Sequence, residues 1–154
     1  LFRSDYKGYK GDAARTFPVG KISAEKQKLI DVTRECFFEG IKQLKAGERL
    51  GKLSHAIQVH AESNGFSVVR EMTGHGIGAK MHQSPNVLNY GKETDGPIVI
   101  ANTCIAVEPM INMGRKEIFI LDDGWTTITR DLQPSAHYEN TVLILADRVE
   151  ILTL

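Results

Sequence analysis

Two stretches with a helical repeat stand side by side in a chain that is otherwise made of short β-prone runs, and that order restricts how it can fold. In the first, Leu29, Ile30, Val32, Thr33, Cys36, Phe37, Gly40, Ile41 and Leu44 recur with a 3.6-residue period. Ser23 is placed to cap its start and Gly47 to stop it, which predicts one amphipathic helix from Ala24 to Lys45 with Cys36 and Phe37 in the core. A second helix is predicted from Leu50 to Asn64, ended by Asn64-Gly65. Before them, Leu1 to Gly20 reads as a β-hairpin, with Phe2, Tyr6 and Tyr9 as strand formers and Gly8 and Gly11 as turn residues. After them come short strand-forming runs: Phe66 to Arg70, Ile98 to Ile100, Cys104 to Ile111, Ile118 to Ile120, Gly124 to Thr129, Ala136 to Leu145 and Val149 to Leu152. With 154 residues and no repeat, linker or low-complexity tract, this is one domain, able to bury on the order of 70% of its unfolded surface.

Lys plus Arg and Asp plus Glu number 19 each, so no global field favours nucleic acid or an anionic membrane. No apolar run approaches the roughly 20 residues needed to span a bilayer, and no signal peptide opens the chain. Cys36 and Cys104 lie far apart without C-x-x-C spacing, which suits reduced thiols and a cytoplasmic setting. The chain opens Leu1-Phe2-Arg3-Ser4-Asp5, without an initiator methionine and in what reads as the middle of a strand, so a longer parent is expected.

The chemistry gathers around Thr73 to Asn89, T-G-H-G-I-G-A-K-M-H-Q-S-P-N-V-L-N, which places His75 and His82 seven residues apart. Gly74 and Gly76 remove Cβ on both sides of His75, so the backbone there can take positive φ and let a ligand or ion come close. A glycine-rich turn with an incidental histidine would leave the same trace. Glu108 interrupts an apolar β-run, where a charge is costly unless paired or metal-bound, and Glu139 is an acid set just ahead of Val142-Leu143-Ile144-Leu145. Asp12, after Gly11, is the third such carboxylate; a turn aspartate is its other reading. His55 and His60 are five apart, not four, so they do not share a helix face as a metal pair would, and they read as surface or capping groups. Carboxylates with one imidazole suit hard or borderline divalent ions, and two ions sharing a water would make hydrolysis the natural reaction class.

G-H-G-I-G, M-H with P-x-V, A-V-E-P-M and S-A-H-Y-E-N-T-V, in that order, resemble the motif set of type I methionine aminopeptidases, and the resemblance covers essentially the whole chain. It implies a pita-bread α+β fold: a curved antiparallel sheet with two long helices on its outer face. The interval from His75 to Glu108 leaves no room for the helical insertion of the type II enzymes. The resemblance further implies removal of the initiator methionine by hydrolysis of the first peptide bond through a water shared by two divalent ions, Co, Mn, Fe or Zn. Asp12 and Glu139 would bridge the ions, His75 and Glu108 would complete the shell of one, and Glu108 would accept the water's proton. His82 would steady the scissile amide, and Met81 and Trp125 would line the methionine pocket; core packing is the alternative for that pair. Its substrates would be nascent polypeptide N-termini met in transient encounters at the ribosome, with the enzyme a monomer.

The chain departs from that pattern in two places. The family's first metal-binding aspartate stands about a dozen residues before the position of Asp12, and counting back runs off the chain at Leu1; Asp5 lies too close to Asp12 to replace it. His137 stands where the family often has glutamine, leaving its role open. The expectation is therefore a single catalytic domain, residues 1–154, that forms the C-terminal portion of an incomplete fold, with one intact metal site, an impaired second one and doubtful activity by itself. The alternatives are a prolidase or aminopeptidase P type of pita-bread hydrolase, or a non-catalytic pita-bread module that binds peptides.

Overall fold

The computed structural model describes residues 2–154. The expected hairpin is present as β1 (Phe2–Tyr6) and β2 (Tyr9–Ala14), turning at Lys7 and Gly8 with φ of 52° and 85°; Leu1 lies outside the described residues. The two helices follow as α1 (Ala24–Lys42) and α2 (Gly51–Ser63). Ser23 caps α1 by accepting from the Lys26 amide, as its position suggested. The helix ends earlier than Lys45 because the Gln43 and Leu44 amides turn back to Gly40 and Ile41, three-residue spacings that tighten its last turn. Gly47, with φ of 86°, then reverses the chain.

Ten short strands complete the described residues: β3 (Ser67–Val68), β4 (Gly74–Gly76), β5 (Gln83–Val87), β6 (Thr103–Val107), β7 (Met110–Asn112), β8 (Ile118–Ile120), β9 (Thr127–Thr129), β10 (Ser135–His137), β11 (Glu139–Ile144) and β12 (Val149–Ile151). The main sheet runs β1-β2-β11-β6-β4-β5, with β12 beside the second half of β11; β10-β7-β3 form a small sheet and β8-β9 a hairpin. Every strand pairing is antiparallel.

Three expected strands differ, one of them being Ala136 to Leu145, which divides at Tyr138 into β10 of the small sheet and β11 of the main one. Ile98 to Ile100 joins no ladder, because the Val99 amide bonds to Glu48 and its carbonyl takes the Gly47 amide, tying this run to the loop between the helices. The run Cys104 to Ile111 divides at Glu108-Pro109, where proline cannot donate to a ladder, and feeds β6 into the main sheet and β7 into the small one.

Register decides which residues face which way. Asn140 pairs with Ala13, so Thr141 stands across from Asp12; Thr141 pairs with Ala106, and Ala106 with His75. Directly opposed residues point to the same side of a sheet, so Asp12, Thr141, Ala106 and His75 form one row across four strands. Glu139 lies two residues before Thr141 on β11, hence on the same face. The alternate residues Ile105, Val107, Val142 and Ile144 join Leu29, Phe37, Leu53 and Ile57 of the helices in the core. The sheet thus has an apolar side under the helices and a polar side carrying acids and a histidine. The helices meet closely at Gly40, where a Cβ would come within 2.7 Å of Ile57 Cγ1.

Candidate metal centre

Asp12 on β2, His75 on β4, Glu108 just beyond β6 and Glu139 on β11 converge on the polar face. His75 Nε2 lies 3.5 Å from Glu108 Oε1 and 4.0 Å from Asp12 Oδ2. Its Nδ1 is 3.0 Å from the Gly76 carbonyl, to which Nδ1–H donates, so the Nε2 lone pair faces the carboxylates. Asp12 is anchored by Thr141, whose hydroxyl accepts from the Asp12 amide and donates to its carbonyl, each at 2.9 Å. The side chain does there what a ladder bond would do.

The fold adds two groups, His137, whose role the sequence left open, and Arg3, which it did not single out. His137 brings Nε2 to 3.7 Å from Glu108 Oε2 and 3.9 Å from Glu139 Oε2. Arg3, across the hairpin from Asp12, places Nε 3.2 Å from Asp12 Oδ2. The hairpin register could have signalled Arg3, whereas His137 carried only its unusual identity.

The carboxylates are crowded and dry. Burial, with the charges of Glu139 and Asp12 beside it, pushes the Glu108 carboxyl up to about 8. Burial and Asp12 likewise push Glu139 up to about 7. Burial lowers His75 and brings His137 down to about 4, holding both imidazoles in the neutral form that ligates metals. Asp12 Oδ1, both Glu139 oxygens and His137 Nε2 are buried with no hydrogen-bond partner among the described residues. Acids left bare in a low-dielectric site call for a cation.

The sequence pattern of metallopeptidase family M24 matches residues 2–146. The chain belongs to that family. It is 53% identical over 147 residues to a methionine aminopeptidase of Clostridium perfringens, a match covering 96% of this chain and 59% of that protein. The crystal structure of methionine aminopeptidase from Thermotoga maritima superposes with a TM-score of 0.94 at 42% identity, covering 96% of this chain and 59% of that one. Prolidase from Pyrococcus furiosus shares the fold alone, at 21% identity and a TM-score of 0.76 over 99% of this chain and 39% of that one. The pita-bread fold expected from the motifs is the fold observed, and the chain spans about 59% of the length of the Clostridium relative.

For an M24 metallopeptidase the donor set fits: Asp12, His75 and Glu139 form one group, and Glu108, His137 and Glu139 another, each with donor atoms within 4.8 Å of one another. Oxygen with imidazole suits hard or borderline divalent ions. The glycines flanking His75 act differently from expectation. Neither takes positive φ; instead a Cβ at Gly74 would lie 2.3 Å from the Ala106 carbonyl oxygen, and one at Gly76 2.1 Å from that of Ser84. They let neighbouring backbone approach, which brings β4 close enough to aim His75 inward.

His82 is exposed and stands edge-on to His75, ring centroids 4.4 Å apart, on the loop that returns over the centre before β5. Met81 beside it is half-buried. Trp125 is 80% exposed on the turn between β8 and β9, which removes core packing as its role. Asp5 pairs with Lys10 and accepts from the Gly8 amide, so it belongs to the hairpin turn. His55 and His60 bond to the Gly91 carbonyl and to Glu35 respectively. No helix among the described residues is long and apolar enough to cross a membrane.

Proposed function

We propose that this chain carries the catalytic centre of a metal-dependent aminopeptidase that removes N-terminal methionine from newly made proteins. The observation that carries the reading is the convergence of Asp12, His75, Glu108 and Glu139 from separate strands into a buried cluster with orphaned oxygens. The names of the relatives support methionine as the residue released. Asp12, His75, Glu108 and Glu139 would hold divalent ions, which when bound supply Lewis acidity and lower the pKa of coordinated water.

The chain's own groups then divide the work. Glu108 is the proton acceptor: its carboxyl is half-buried, adjoins the centre, and has a proton affinity already raised toward neutrality. His82 donates to the carbonyl oxygen of the scissile amide and to the negative charge that grows on it, from a position beside His75 but outside the acid cluster. Met81 and Trp125 contribute apolar surface for the methionine side chain.

The test is release of free methionine from a Met-Ala-Ser peptide by the full-length protein, after chelation and after addition of Mn, Co, Fe or Zn. Methionine should appear only with metal, and an Ala-Pro peptide should stay intact. Cleavage of Ala-Pro in preference to Met-Ala would transfer the chain to the prolidase or aminopeptidase P class, and tight binding of Met-Ala-Ser without turnover would make it a binding module.

A further inference from the structure

We propose that His137 is a metal ligand, forming with Glu108 and Glu139 a second ion site beside that of Asp12, His75 and Glu139. The proposal rests on the reading of this cluster as a metal centre and adds a ligand to it. Glu108 faces two histidines with different oxygens, Oε1 at 3.5 Å from His75 Nε2 and Oε2 at 3.7 Å from His137 Nε2. Glu139 Oε2 lies 3.9 Å from the same His137 nitrogen. These separations exceed a hydrogen bond, yet they are close to the roughly 3.4 Å between donors that sit about 2.1 Å from a tetrahedral ion. His137 Nε2 and both Glu139 oxygens are buried with no hydrogen-bond partner among the described residues, and the Glu139 side chain is 1% exposed.

The backbone holds His137 in place. Its amide donates to Thr16 Oγ1 at 2.9 Å, while the Thr16 hydroxyl donates to its carbonyl at 3.0 Å, and β10 pairs it with Met110. Counting ligands along the family's pattern omits this imidazole and so foresees an impaired second site. A histidine joined to two carboxylates gives that second ion three protein donors.

Calorimetric titration of the metal-free protein with Mn or Co should show two ions per chain, and His137→Gln should lose one of them or weaken it by roughly 10- to 100-fold or more. Loss of one ion from His75→Ala with the other retained would support the separation of the sites. Long-range proton–nitrogen spectra of the unaltered protein give a reading that needs no variant to fold: on saturation with Zn, two imidazole Nε2 resonances should take metal-coordinated shifts. A single coordinated imidazole, or undiminished stoichiometry and affinity in folded His137→Gln, overturns the proposal and leaves the metal centre standing. Absence of any divalent binding by the unaltered protein overturns both.

Discussion

At the scale of single residues, the centre is a set of acids held without enough positive charge, and the chain's own compensation is Arg3. Its guanidinium reaches Asp12 Oδ2 at 3.2 Å from the half-exposed side of the hairpin. An ion entering the centre competes with it for the same oxygen. Arg3→Ala should therefore tighten divalent metal binding by roughly 2- to 10-fold, since a pair with one exposed partner is worth about 1 kcal/mol, as read by titration against a metal indicator. His82 makes the opposite kind of prediction. Because it lies beside the cluster and not in it, His82→Ala in the full-length protein should lower kcat on a methionyl peptide by about 100- to 1000-fold, with bound metal unchanged by elemental analysis. The acids and His75 were legible in the sequence because charge inside β-prone, apolar runs demands an explanation. Arg3 was within reach only through the register of the hairpin, and His137 was not legible, since nothing local shows that a histidine on β10 will meet carboxylates from other strands.

Among the elements, β4 is the most exacting, because it carries His75 in a space bounded by backbone on both sides. Gly74→Ala would drive a methyl group into the Ala106 carbonyl of β6, an obstacle that cannot rotate away. Overpacking of this kind costs roughly 1 to 3 kcal/mol, so denaturant unfolding should show that loss together with weakened metal binding, as β4 moves and takes its imidazole with it. If metal affinity survives while stability falls, β4 is a packing strand only. Glycine's role here was visible in the sequence as a demand for closeness, but its partner was backbone and not a ligand. The helices were legible almost to their ends, for their periodicity is local. Residues 98–100 misled for the reverse reason: β-branched residues mark a backbone ready to pair, and Val99 found its partners in the loop between the helices.

For the molecule as a whole, the two sides of the main sheet have opposite requirements. The helix-covered side stabilises the fold by apolar burial, while the other side stores carboxylates whose ionisation opposes it. From pH 6.5 upward the protons that the folded Glu139 and Glu108 carboxyls retain, raised to about 7 and about 8, outweigh those that unfolded imidazoles still bind, so the two carboxyls govern the pH response of the metal-free protein. Unfolded, both carboxyls have already lost their protons; folded, they still hold them, so stability falls as pH rises through those two values. The Tm of metal-free protein should drop between pH 6.5 and 8.5, and saturating metal should flatten or reverse the trend, because ions bind the ionised carboxylates. The order of hairpin, helices and strands was readable along the chain, whereas the shared polar face was not, because it depends on the register among β2, β11, β6 and β4.

Glu139 belongs to both donor groups, so its loss should disable both. Calorimetric titration of metal-free protein with Co or Mn, set beside Glu139→Ala confirmed as folded by its circular dichroism, should show divalent binding in the first and none of comparable affinity in the second. Equal binding by the two proteins would contradict a metal centre at this face of the sheet.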